Sequence, residues 1–292
     1  VGKCSALTGV FFSILALGLY WPGSVVVISP EFELETFELD QQVGAVDGLR
    51  WHDGWLYIAS EGSSAVYRAD AAGHVESLSE GELSSPEDLV IDASGTVYVT
   101  DDDAGGVWAL RAGQPAERID AGEALLSTEG IALLPSGLLA IGDGASGRVA
   151  LHSRDGSPQS EWNLPEITKP ESMAVADDGS VYIADDAGGV IIRRAAEGDV
   201  RAALDRRDGI QEPETLLWHD GWLYIVDNAA GRLVRYREGC PLEAIAQFGG
   251  DLKNVQGIAA DDAGNLYLSV QSDLEANEGH LLRFVRRTSP RR

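Results

Sequence analysis

The chain of 292 residues carries a unit of about 42 residues six times over, and this period limits its possible folds more than any other property. The units open on a short acidic-then-apolar run: VDGLRW at Asp47, PEDLVI at Glu87, TEGIAL at Glu129, PESMAV at Glu171, PETLLW at Glu214 and VQGIAA at Gln256. The intervals are 40, 42, 42, 43 and 42 residues. A turn follows each opening, then a second apolar strand: GWLYIAS, GTVYVTD, GLLAIGD, GSVYIAD, GWLYIVD and GNLYLSV. Past a Gly-rich turn comes a third strand, as in AVYRAD, GVWALR, RVALHS, GVIIRR, RLVRYR and HLLRFV, and most units add a fourth. The octapeptide WHDGWLYI stands unchanged at Trp51 to Ile58 and again at Trp218 to Ile225. Four short strands per repeat of this length make a propeller blade, so the repeats predict an all-β, six-bladed propeller.

Composition agrees with that class. The 34 Gly and 11 Pro supply turns, and no apolar period of 3.6 persists beyond the first two dozen residues. The sixth unit lacks a fourth strand, because only a basic tail follows Val285. A spare strand exists at the other end, where EFELETFEL (Glu31 to Leu39) alternates polar and apolar residues before the first unit. It is expected to complete the sixth blade and close the ring. With 22 Lys+Arg against 47 Asp+Glu the net charge is −25, which excludes nucleic acid as a partner because a polyanion is repelled by nearly every face.

The N-terminus stands apart. Ala6 to Trp21, ALTGVFFSILALGLYW, is apolar and uncharged, preceded by Lys3 and closed by Pro22-Gly23-Ser24. It reads as a signal peptide or as an uncleaved membrane anchor, the second being the expectation adopted. Lys3 before the run, with Glu31 and Glu33 after it, places the propeller on the periplasmic or extracellular side by the positive-inside rule. The expected organisation is an anchor helix over 1–24, a propeller over 25–287 and a basic tail over 288–292. Cys4 precedes the apolar run and Cys240 sits in a turn-like REGCPLE segment, so a membrane between them would keep them apart.

The first strand of each propeller blade lines the central channel, so the six openings converge on one mouth. Asp47, Glu87, Glu129, Glu171 and Glu214, with Gln256, would ring it. The second strand returns antiparallel and ends beside the first strand's start, which brings Asp101, Asp143, Asp185 and Asp227 to the same face as a second acidic ring. Like charges this close raise some pKa values or recruit a cation, and oxygen donors without His or Cys select Ca²⁺ or Mg²⁺ over zinc. The same acids also read as a repeat consensus at a solvated strand edge, because repeats copy residues irrespective of use. The histidines offer no triad: His52 and His219 occupy the WHDGW turn on the opposite face, and His74, His152 and His280 read as surface residues of outer strands or loops. The recurring Trp and Tyr are expected to pack between blades.

Units such as PESMAVADDGSVYIADDAGGVIIRR (Pro170 to Arg194) resemble the six-bladed propellers of the NHL, SMP-30/gluconolactonase and strictosidine-synthase-like group, over about residues 31–287. The resemblance implies a divalent metal held at the mouth by residues at first-strand starts. Asp47, in DGL, matches the form of one such ligand motif, and Glu87, Glu129, Glu171 and Glu214 occupy comparable starts. The family's site mixes acids with asparagine, and no asparagine stands at the six openings here. Two functions follow. The first is a membrane-tethered binding or scaffold module, such as an accessory subunit held through its N-terminal helix in a respiratory or photosynthetic membrane complex. The second is a metal-dependent lactonase or ester hydrolase acting on a small molecule at the acidic mouth.

Overall fold

Short runs of β-branched and aromatic residues, broken every few positions by glycine, have one economical solution: antiparallel strands joined by tight turns. The computed structural model describes residues 13–15, 23–79, 81–119, 125–250, 252, 254–271 and 279–287. It contains six antiparallel sheets. Blade one holds Leu49–His52, Trp55–Ser60, Ala65–Ala69 and Val75–Ser77, and blade two holds Pro86–Ile91, Val97–Asp101, Val107–Leu110 and Glu117–Arg118. Blade three holds Thr128–Leu133, Leu139–Asp143, Arg148–His152 and Pro158–Trp162. Blade four holds Pro170–Val175, Val181–Asp185, Val190–Arg194 and Val200–Leu204. The core of blade five is Pro213–His219, Trp222–Asp227, Arg232–Tyr236 and Glu243–Gly250, and blade six supplies Asn254–Ala260, Leu266–Gln271 and Gly279–Arg286. The first strands neighbour one another in a closed ring.

The ring closes through the N-terminal strand. Phe32–Thr36 pairs antiparallel with Gly279–Arg286, with Leu34 opposite Phe284, and forms the fourth strand of blade six. Six apolar clusters fill the six interfaces between neighbouring blades, so each sheet buries both faces. Aromatic residues recur there as expected. Trp51 of blade one stacks on Tyr267 of blade six at 5.5 Å, and Trp218 of blade five stacks on Tyr182 of blade four at 5.7 Å. The repeated WHDGW turn is a two-residue hairpin in which Asp53, Gly54, Asp220 and Gly221 all have positive φ, the backbone whose twist suits a right-twisted hairpin.

Blade five is larger than the repeat predicts. Gly23–Val27 pairs with Glu243–Gly250 on its outer edge, and Ser13–Leu15 pairs in turn with Gly23–Val27. Val25 and Val27 are buried in the cluster between blades five and six, while Val26 alternates outward. The apolar N-terminal segment was expected to form an anchor helix. The three of its residues from 6 to 21 that are described, Ser13–Leu15, are a strand, because the edge offered by Val25-Val26-Val27 has unpaired N–H and C=O groups to satisfy. The rest of that segment, the outward placement it implied, and the tail over 288–292 lie outside the described residues. Among the described residues no helix is long and apolar enough to cross a membrane, and the one helical turn is the 3-10 turn Arg206–Asp208. Cys240 is disulfide-bonded, to a partner outside the described residues.

Candidate functional site

The channel mouth is built by a bulge repeated in five blades. The register between first and second strands slips between Pro86 and Leu89, Thr128 and Ile131, Pro170 and Ser172, Pro213 and Thr215, and Val255 and Ile258. Each slip falls on the acidic opening, at Glu87, Glu129, Glu171 and Glu214, or on Gln256. A bulge leaves one residue unpaired and re-aims its side chain, here into the channel. In blade one Asp47 precedes the strand and its backbone N–H donates to the Ala59 carbonyl at 3.1 Å. All six residues line one mouth, together with Arg50 and Asp88.

The glycine after the acid has a packing reason. A Cβ on Gly48 would lie 2.4 Å from the Glu87 carbonyl oxygen, one on Gly130 2.6 Å from that of Glu171, and one on Gly257 2.4 Å from that of Asp47. In these blades the neighbouring inner strand approaches backbone to backbone at the level of its own acid. Where the glycine is replaced, the side chain bridges the gap: Asp88 accepts from the Ile131 N–H at 3.3 Å, and Ser172 Oγ accepts from the Leu216 N–H at 3.1 Å.

Crowding and burial act together on the five carboxylates. Burial, then the neighbouring Asp47 and Glu129, pushes Glu87 up to about 10. Burial, with Glu129 and Glu214 nearby, pushes Glu171 up to about 8, and burial with Asp186 pushes Glu214 up to about 7. Asp47 rises to about 7 by burial and by Glu61, although it accepts from the Glu61 N–H at 3.2 Å and from Gln271 at 3.1 Å. Burial also raises Glu129. One cation answers this charge in blades three and four: Lys169 Nζ lies 2.6 Å from Glu171 Oε2 and 3.4 Å from Glu129 Oε1. Those carboxylates hold its ammonium well above the ordinary lysine range despite desolvation.

The second set of acids has different work. Asp101, Asp143, Asp185 and Asp227 are 0 to 1 % exposed, and none of them lines the mouth. Asp101 accepts from the N–H groups of Ser84, Ser85 and Ala104 at 2.7 to 3.0 Å. Asp185 accepts from the N–H groups of Thr168 and Gly188 at 2.6 and 2.8 Å. Asp227 accepts from the Glu212 N–H at 2.9 Å and pairs with Arg232 at 3.1 Å. Asp143 accepts from Ser146 Oγ at 2.7 Å and pairs with Arg148 at 3.3 Å. In three blades these aspartates fasten the loop entering the first strand and thereby hold the acid that follows in place.

Two further positions of the repeat reach the site. The residue two before the opening acid gives Ser85, Ser127, Lys169, Glu212 and Asn254. The residue after the second-strand aspartate gives Asp102, Gly144, Asp186 and Asn228. Backbone bonds join the two sets, as Asp102 N–H to the Ser85 carbonyl and Asn228 N–H to the Glu212 carbonyl, both at 2.9 Å. Between blades four and five this brings Asp186, Glu212 and Glu214 together, each offering one carboxylate oxygen within 4.8 Å of the others. Of these, the sequence reading named Glu214. Lys169, Asp186 and Glu212 escaped it, although aligning the flanks of the repeat would have exposed both positions. The asparagines missing from the openings appear in these flanks, as Asn228 and Asn254. His152 corrects another expectation: it is 2 % exposed, because the third strand of blade three is sandwiched between neighbouring blades.

With this geometry in view, the likenesses to known proteins are informative. The family model for strictosidine synthase-like proteins, N-terminal, matches residues 70–110 and 161–193. No curated protein matches the chain in sequence. Among solved structures, a gluconolactonase from Xanthomonas campestris is 15 % identical, with 91 % of this chain and 90 % of that one covered and a TM-score of 0.69. A putative gluconolactonase is 11 % identical over 89 % of this chain and 94 % of its own, at 0.68. The virginiamycin B lyase from Staphylococcus aureus is 15 % identical over 85 % and 88 %, at 0.63. The chain is a six-bladed β-propeller of the architecture seen in gluconolactonases and virginiamycin B lyase, with a strictosidine synthase-like match in its repeats.

Proposed function

We propose that the protein is a divalent-metal-dependent hydrolase of small lactones or esters, acting at the acidic mouth. The carrying observation is the group Asp186, Glu212 and Glu214, three carboxylate oxygens within 4.8 Å of one another on the rim of a channel that Glu214 also lines. An all-oxygen donor set of this charge fits Ca²⁺ or Mg²⁺. The neighbouring acids are proposed as further ligands or proton carriers. When bound there, such an ion supplies positive charge for the carbonyl oxygen of a substrate.

The chain's own groups supply the rest. Glu171 and Asp47, with pKa values pushed up to about 8 and about 7, exchange protons near neutral pH and suit general acid–base work on a water molecule. Lys169 fixes Glu171 and Glu129 in place. The similar structures include a gluconolactonase and a putative gluconolactonase, which supports this reading over the membrane-tethered scaffold, for which the described residues lend no support.

The test uses the full chain after chelation. Ca²⁺ or Mg²⁺ should raise its melting temperature and restore hydrolysis of glucono-lactone or a short-chain lactone followed by proton release. Glu214→Gln should remove both effects. Identical melts with ion and chelator, together with hydrolysis no faster than buffer, would overturn the proposal.

A further inference from the structure

The central channel has a second end of opposite character. Each first strand runs from the acidic mouth to the far face, and at about 3.3 Å per residue the four steps from Asp47 to Trp51 cover roughly 13 Å. There the residue types change. Trp51, Ile91, Leu133, Val175, Leu217 and Trp218, from five blades, border a cup and are all half-buried. The cup has a cavity volume of about 320 Å³ and opens to solvent. That falls within the roughly 300–1,000 Å³ of small-molecule pockets. Its two indoles are held by the ring stacking on Tyr267 and Tyr182, so the walls are preformed.

The charge of the cup is what selects an occupant. In a chain of net charge −25, no carboxylate among the described residues lines it; its ionisable residues are Arg50 and His52. Arg50 lines both the cup and the acidic mouth and therefore stands where the two meet. Its Nη2 donates to both oxygens of Asp88 at 3.2 and 3.3 Å, and Asp88 borders the mouth. These bonds are long for charge-assisted ones, and both come from one nitrogen of a group with five N–H donors. A cation at the floor of an apolar cup, with donors to spare, is complementary to one negative charge on an apolar body.

We propose that this cup is a second binding site, separate from the acidic mouth, for a small apolar monocarboxylate. The aliphatic or aryl part lies against the walls, and the carboxylate meets Arg50. The arrangement disfavours polyanions, because the rest of the molecule repels additional negative charge.

Decanoate and 2-naphthoate are the probes, with decanol and 2-naphthol as neutral counterparts, titrated calorimetrically into the full chain. The acids should bind saturably at one site per chain, at least tenfold more tightly than the alcohols. Arg50→Met should erase that preference. Because this change also leaves Asp88 without its partner, Leu217→Glu and Val175→Glu at the cup wall provide a second arm, and each should weaken acid binding at least tenfold with an unchanged melting temperature. Saturating Ca²⁺ should leave the acid affinity within twofold. Equal affinity for acid and alcohol, no saturable binding, or binding retained in both wall variants would overturn the proposal, as would competition by Ca²⁺. Leu217 and Val175 line the cup and not the acidic mouth, so loss of acid binding in the wall variants is read separately from metal binding and hydrolysis at the mouth.

Discussion

Lys169 is the residue on which the charge balance of the mouth turns, because its ammonium lies against Glu171 and close to Glu129 while burial and mutual repulsion push both acids towards neutrality. All five ring carboxylates have raised pKa values in the folded chain. The folded molecule therefore keeps protons that the unfolded chain releases. The stability from this source is fully present near pH 4 and is lost as pH rises through 7 to 8, where Asp47, Glu214 and Glu171 ionise, and on towards 10, where Glu87 does. Melting temperature should fall from pH 5 to pH 9 in chelator, and a saturating divalent ion should flatten that slope, adding about 2.7 kcal/mol at 100 times its dissociation constant. Glu171→Gln should stabilise the metal-free chain at pH 8 by roughly 1 kcal/mol, since it removes a charge the site resists. Lys169→Met should do the opposite, costing about 1–2 kcal/mol at pH 8 and less at pH 5, a figure lowered for its partial exposure. Denaturant midpoints at the two pH values measure both; a Lys169→Met loss that is the same at pH 5 and pH 8 would refute the charge-balance account.

The first strand of a blade meets two demands at one point: its bulge turns the acid into the channel, and the residue after the acid must let the next blade approach. Gly130→Ala would bring a Cβ to 2.6 Å from the backbone oxygen of Glu171, with no flexible side chain able to yield, so a loss of about 2–4 kcal/mol is expected. Gly137→Ala is the contrast. Nothing lies within 4 Å of its Cβ, and its cost of about 1 kcal/mol comes from φ of +84° alone. Urea unfolding of both variants measures the difference, and equal losses would show that the close approach is not limiting. This element also marks the boundary of what the sequence makes legible. The recurrence of VDGL, TEGI and PESM reveals the strand, its place in the ring and the convergence of Asp47, Glu87, Glu129, Glu171 and Glu214, because a repeat maps equal positions onto equal places. The bulge leaves no trace in the period. Nor does the sequence distinguish Glu171, which faces the mouth, from Asp185, which is buried under backbone N–H groups, since both are acids at strand ends. Only the partners of each carboxylate separate the two roles.

A propeller holds together only as a ring, because every sheet is covered by its neighbours and a missing outer strand opens an edge. The N-terminal region meets that requirement in two steps of unequal weight. Phe32–Thr36 completes blade six and buries Phe32 and Leu34, with Arg283 paired to Glu35 at 2.6 Å across the seam. Gly23–Val27 adds to a blade five that already has four strands, contributing mainly the buried Val25 and Val27. Two truncations separate these effects. A chain beginning at Glu31 keeps the closing strand and loses two buried valines, worth about 1.5–3 kcal/mol each, together with the disulfide of Cys240, so it should fold as a monomer with a lower melting temperature. A chain beginning at Gln41 loses the closing strand as well. It leaves Gly279–Arg286 as an exposed edge eight residues long, and it should aggregate or lose cooperative unfolding. Adding back a peptide spanning Glu31 to Leu39 should restore part of the lost stability, since the pairing is antiparallel and in register along five residues. Monomeric behaviour of the Gln41 chain at the melting temperature of the Glu31 chain would mean that the seam between the two termini does not carry the closure of the ring.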